Sequence, residues 1–272
     1  MTLEVKKTFN TEGLINMLLY GPSGAGKTVY CSTAPKVLVL DVEGGLMSIR
    51  GTNVAHAKID CMGDIGEAYL LLKGSKEYDT VAIDSITELQ KRSMTEIIEA
   101  DGNAIPSMKN WGQNIEEMRK IIRAFRDLPI NVIFTALEST KETEDGLAME
   151  KQPALQGKSL PQEVMGFVDI VGHMEIFEKQ EEVDGKKSVK VYRAIRVQPS
   201  KTVNAKDRSK ELGTWIKQDL NGHGPSFADM YSKVFGKKKA QTEKVADSEG
   251  VKKETPATAK KKTVVKKGNK TK

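Results

Sequence analysis

Eight consecutive residues carry the densest chemistry in this chain: Gly21-Pro22-Ser23-Gly24-Ala25-Gly26-Lys27-Thr28. They match G-x-x-x-x-G-K-[ST] at every fixed position, the pattern of a loop that wraps the phosphates of a nucleotide. The glycines let successive backbone N–H groups curl around an anion without Cβ clashes. The start of the following helix adds a positive dipole end. Lys27 would reach the β- and γ-phosphates and the Thr28 hydroxyl would bind Mg²⁺, so ATP and Mg²⁺ are the expected ligands. Two acids complete the chemistry. Asp84 ends an apolar run about 57 residues after Lys27, where it would hold Mg²⁺ opposite Thr28, through water. Glu43 follows another apolar run that ends at Asp41. There it could orient a water for attack on the γ-phosphate as a general base. Asp41 and Glu43 are two apart, so both point to one face if the strand continues through them.

These residues need a scaffold that ends several strands at one edge. Leu14 to Tyr20, Lys36 to Asp41, Val54 to Ile59, Tyr78 to Asp84 and Ile130 to Ala136 are short apolar, β-branched runs that read as strands. Helical spacing alternates with them, over 27–34, 63–75, 85–100 and 111–128. Ser85 with Glu88 three residues on reads as a capping box. The alternation predicts an α/β fold with a mostly parallel central sheet flanked by helices. Acids at the C-terminal ends of parallel strands then sit where ligands bind in open sheets. Residues 101–110 break the pattern as a loop. Residues 137–158 are polar and too long for a simple connection. A short helix is expected over 160–167, with Pro161 in its first turn. Two runs, 168–178 and 188–197, flank Asp184-Gly185 and predict an antiparallel hairpin that makes the sheet mixed. A basic loop, 199–208, and an amphipathic helix over 227–235 close the body.

The net charge of +6 divides unevenly. Residues 237–272 hold thirteen Lys against four Asp or Glu, a balance of +9, which leaves −3 for 1–236. With no aromatic residue, this Lys-rich tail cannot bury enough apolar surface to offset its ordering entropy, and a disordered tail on one domain, 1–236, is expected. A tail of that charge suits nucleic-acid phosphates or simply solubilises the body. No apolar run approaches the roughly 20 residues that span a bilayer, and 1–10 has no apolar signal core, so neither a membrane nor secretion is expected. Cys31 and Cys61 have no metal-ligand spacing and read as free thiols. His56, His173 and His223 are scattered and read as strand or loop residues.

The phosphate loop, the stretch Val39-Leu40-Asp41-Val42-Glu43-Gly44-Gly45-Leu46 and the ending Val81-Ala82-Ile83-Asp84-Ser85 together resemble the ATPase core of RecA-type recombinases. With Ala205-Lys206-Asp207-Arg208 added, the wording is similar to phage-encoded RecA-like ATPases of the single-strand annealing type. The resemblance covers about 10–235. It implies that Glu43 is the catalytic base and Asp84 the Walker B acid. It places two DNA loops at Asp101–Trp111 and Ser139–Lys158, where Lys109, Lys141, Lys151 and Lys158 would meet phosphates and Met108 or Trp111 would pack on bases. It implies that Lys201, Lys206 or Arg208 reach a neighbouring subunit's γ-phosphate, as arginine fingers do. The implied partners are single-stranded DNA, further copies of the chain in a filament or ring, and a single-stranded-DNA-binding protein, in the cytoplasm of an infected or bacterial cell. The sequence departs from the family at its polar sensor, for which 134–138 offers only Thr135 or Glu138.

Two other classes fit the phosphate loop. A nucleotide or small-molecule kinase would need an arginine-rich lid, and no such segment is present. A nucleotide-ordered switch or scaffold would work without Glu43 chemistry.

Overall fold

The computed structural model describes residues 13–102, 105–143, 146–183, 186–217 and 224–236. The expected tail at 237–272, the turn at Asp184-Gly185 and His223 lie outside these residues. Among the described residues ten strands form one sheet: β1 (Asn16–Gly21), β2 (Val37–Asp41), β3 (Ala55–Lys58), β4 (Thr80–Asp84), β5 (Asn131–Glu142), β6 (Met149–Pro153), β7 (Ile170–Val183), β8 (Lys186–Arg196), β9 (Lys206–Asp207) and β10 (Trp215–Lys217). The helices are α1 (Lys27–Ser32), α2 (Met62–Gly74), α3 (Ile86–Asp101), α4 (Met108–Arg126) and α5 (Leu160–Phe167), followed by α6 over 227–236. A 3₁₀ turn spans Leu46–Ile49.

The strand order is β10-β8-β7-β1-β5-β4-β2-β3. From β7 to β3 all neighbours are parallel, and β8 and β10 are antiparallel additions. This is the mixed, mostly parallel α/β sheet that the sequence predicts. β2 and β4 are buried at every residue, and β1 at all but Asn16. Strands covered on both faces must read as continuous apolar runs. The core accordingly lies in two layers. Leu18, Leu40, Ile83, Phe134 and Val171 face a layer with residues of α2, α3, α4 and α5. Met17, Val39, Ile133, Ile170 and Ile195 face residues of α1 and α6.

Register then fixes the site. Gly21 pairs with Leu137, and Asp41 pairs with Asp84. The ends of β1, β2 and β4, and the point where β5 leaves the core, therefore share one edge. β5 lies between β1 and β4, which puts Thr135 between the phosphate loop and Asp84.

Three expectations change in detail. The segment over 137–158 is largely a ribbon, in which β5 continues past the core and pairs antiparallel with β6, from Glu138↔Pro153 to Glu142↔Met149. α4 starts at Met108, three residues earlier than its spacing predicts, because Ser107 and Asn110 form a capping box. Met108, Lys109 and Trp111 therefore sit on the first turns of a helix. The strand geometry of β2 stops at Asp41, so Asp41 and Glu43 take different directions.

Candidate active site

The phosphate loop runs from the end of β1 into α1. Gly24 and Gly26 hold φ of +75° and +105°, a region that side chains with a Cβ rarely adopt. Gly21 has a different constraint: a Cβ there would lie 2.7 Å from the Met174 carbonyl oxygen of β7. The Lys27 ammonium donates to the carbonyls of Gly21 at 3.0 Å and Pro22 at 2.9 Å, across the mouth of the loop. Burial pulls the Lys27 ammonium below its ordinary pKa, against the opposing pull of Asp84 and Glu43. Anionic phosphate is the ligand that satisfies such a desolvated cation.

Asp84 is buried and held from two sides. Thr28 Oγ1 donates to one carboxylate oxygen at 2.5 Å, and Thr135 Oγ1 donates to the other at 2.5 Å. The Thr28 hydroxyl and the Asp84 carboxylate, the two oxygens a phosphate-bound Mg²⁺ would need, are thus adjacent. Mg²⁺ beside phosphates takes one or two carboxylates and keeps several waters, so this donor set fits it. The Asp84–Ser85 peptide bond is cis.

Glu43 projects from the loop after β2. Its backbone N–H and that of Val42 donate to the Asp84 carbonyl, at 3.3 and 2.9 Å, which ties this loop to the end of β4. The Ser85 hydroxyl donates to the Glu43 carboxylate. Asp41 does other work: its carboxylate accepts from Gly44 N–H at 2.8 Å and Gly45 N–H at 3.2 Å. It shapes the turn that carries Glu43.

Lys27, Thr28, Glu43 and Asp84 line one cleft of about 470 Å³, together with Ser23, Gly24 and Gly26. That volume suits a nucleotide-sized ligand. The cleft also contains Arg193 of β8, which no motif in the sequence singles out. Its Nε donates to the Ala25 carbonyl at 3.1 Å, and its Cδ would lie 3.2 Å from a Cβ at Gly26. A guanidinium therefore sits against the phosphate loop from within the same chain. No local signal could find it, since only the β7–β8 register brings position 193 to the loop.

The other candidates lie elsewhere. Lys206 and Arg208 sit beside the start of β7, at the opposite end of the strands from the phosphate loop. Lys206 donates to the Met165 carbonyl, and its ammonium is lowered to about 8 by burial and by Arg208. Arg208 pairs with Asp169 at 3.2 Å. Neither faces its own chain's cleft. Lys201 is exposed on its loop. Met108 is 87% exposed, and Lys109 pairs with Asp101 at 3.8 Å. Lys141 and Lys158 are exposed, while Lys151 pairs with Glu138 at 3.7 Å.

Of the two sensor candidates, Thr135 touches Asp84, while Glu138 meets His173 Nε2 at 2.8 Å. His173 is buried, with Glu175 at 3.0 Å from its other ring nitrogen and the Tyr20 ring 4.9 Å away. Cys31 and Cys61 are free thiols, and burial raises the Cys31 thiol well above its usual range. Among the described residues no helix is long and apolar enough to cross a membrane.

A family model described as an AAA domain matches residues 14–209. The chain belongs to that AAA domain family. Its phosphate loop, Asp84 and mixed parallel sheet are those of a nucleotide-binding P-loop ATPase. Among solved structures, this AAA domain is similar to the flagellar accessory protein FlaH from Methanocaldococcus jannaschii. That likeness has 12% identity and a TM-score of 0.35, and covers 68% of this chain and 77% of that one. No curated protein sequence matches the chain.

Proposed function

We propose that the chain is a Mg²⁺-dependent ATPase of the RecA-like, single-strand annealing type, which binds single-stranded DNA and promotes annealing or strand pairing. The observation that carries the ATPase half is the convergence of Lys27, Thr28, Asp84 and Glu43 in one cleft. In this reading the loop and Lys27 bind the phosphates, while Thr28 and Asp84 hold Mg²⁺. The bound ion would neutralise phosphate charge as it develops. Glu43, oriented by Ser85, takes the proton from the attacking water. The DNA half rests on the resemblance of the motifs and on the +9 balance of 237–272. Lys206 and Arg208 lie away from their own cleft and Lys201 is exposed, which suits cations that act on a neighbour in a filament or ring.

The test is ATP hydrolysis with Mg²⁺, with and without single-stranded DNA, on the full chain and on Glu43→Gln. DNA-stimulated hydrolysis that falls about 100-fold or more in the variant, with nucleotide binding retained, supports the proposal. Hydrolysis indifferent to DNA removes the DNA half. Hydrolysis retained by Glu43→Gln removes the proposed base.

A further inference from the structure

The β7–β8 pair continues outward from the sheet as a long ribbon, with β10 alongside β8. Alternation along strands sorts its side chains onto two faces. His173, Glu175, Phe177 and Lys179 of β7 lie opposite Arg196, Ala194, Tyr192 and Lys190 of β8, and Trp215 of β10 lies opposite Arg196. One face therefore groups three aromatic rings with a set of cations. The Phe177 and Trp215 rings meet edge-to-face, with centroids 5.5 Å apart. Phe177 and Tyr192 are direct cross-strand partners. The Arg196 guanidinium lies 4.6 Å from the Trp215 ring centroid, and the Lys190 ammonium 5.4 Å from that of Tyr192. Lys179 and Lys190 stand opposite each other. Phe177 is 40% exposed, Lys179 and Lys190 are exposed, and Tyr192 and Trp215 are partly exposed.

Aromatic rings side by side offer stacking platforms for flat, unpaired bases, and the interleaved cations track a phosphate backbone. A duplex keeps its base faces stacked internally and could use only the cations. Glu175, on the same face, meets His173 at 3.0 Å and Arg196 at 3.8 Å.

We infer that this face, built from Phe177, Tyr192 and Trp215 with Lys179, Lys190 and Arg196, is a binding platform for single-stranded nucleic acid. Its residues are distinct from those of the segments at 101–111 and 139–158. The inference rests on the DNA half of the function proposed above and assigns a place to it.

Trp215 supplies the test, because Trp111 is the only other tryptophan. In the full-length chain, titration with an oligothymidylate is expected to quench tryptophan emission in step with binding followed by anisotropy of the labelled oligonucleotide, and the part of that quench lost in Trp215→Phe reports Trp215. Tyr192→Ala should weaken binding about 5- to 100-fold. Lys179→Gln with Lys190→Gln, both exposed, should flatten the plot of log affinity against log salt by about 1.4. Binding that leaves Trp215 emission and the lysine double variant's slope unmoved overturns the platform while leaving the DNA function standing. Absence of any oligonucleotide binding by the full chain overturns both. Equal binding of a duplex of the same length also overturns the platform. So does loss of self-association in the lysine double variant at unchanged DNA affinity, since the face would then be a contact between copies.

Discussion

At the scale of single residues, Asp84 shows how the site balances its charges. Its carboxylate is buried, and each of its oxygens receives one hydroxyl, from Thr28 or from Thr135. Thr135→Val keeps the shape and removes one donor. An unsatisfied buried acceptor costs about 1–3 kcal/mol, so thermal unfolding of this variant should shift down by several degrees. Lys27→Ala should abolish MgATP binding measured by calorimetry, because the cation spans the loop mouth between the Gly21 and Pro22 carbonyls. Arg193→Ala should weaken nucleotide binding by about tenfold or more, the worth of one charge-assisted hydrogen bond. The loop motif made Lys27 and Thr28 candidates, and apolar runs that end at or just before them made Asp84 and Glu43 candidates. Arg193 was not legible, and Thr135 entered only as one of two sensor candidates. Both act across strand pairings more than 50 residues apart in sequence, and no local pattern encodes that register.

At the scale of elements, the strands buried on both faces were readable because nothing but an apolar run can occupy them. β6 was not, since Met-Glu-Lys-Gln-Pro is mostly charged and polar, and it pairs on a ribbon outside the core. The start of α4 was misplaced because Asn110 replaces the Glu or Gln that marks a capping box. The α4–α5 contact offers a test of its own. Arg119 holds Glu163 through a two-point ion pair, at 2.6 and 2.7 Å. Those hydrogen bonds hold the Glu163 carboxyl at about 2, against an ordinary value of 4.5. A carboxylate lowered in the folded state stabilises above its unfolded value and loses that contribution as pH falls. Stability should therefore decline between about pH 4.5 and pH 2, and Glu163→Gln should flatten that part of a pH series of unfolding midpoints.

At the scale of the whole molecule, charge is divided between a mildly acidic body and a basic terminus. Deleting 237–272 should lower affinity for single-stranded DNA and flatten its salt dependence, with MgATP binding unmoved, as measured by anisotropy and calorimetry on one preparation. The ribbon has a wider consequence. On β8, Tyr192 belongs to the aromatic face while its neighbour Arg193 turns the other way, onto the Ala25 carbonyl of the phosphate loop. One peptide unit thus separates a residue of the proposed platform from a residue that touches the phosphate loop. If an oligonucleotide changes the nucleotide's affinity by some factor, the nucleotide must change the oligonucleotide's affinity by that same factor. Two titrations, each with the other ligand saturating, close this thermodynamic cycle. Replacing Arg193 should shrink the factor in both directions equally, which would make a single strand of the sheet the common term of the two equilibria.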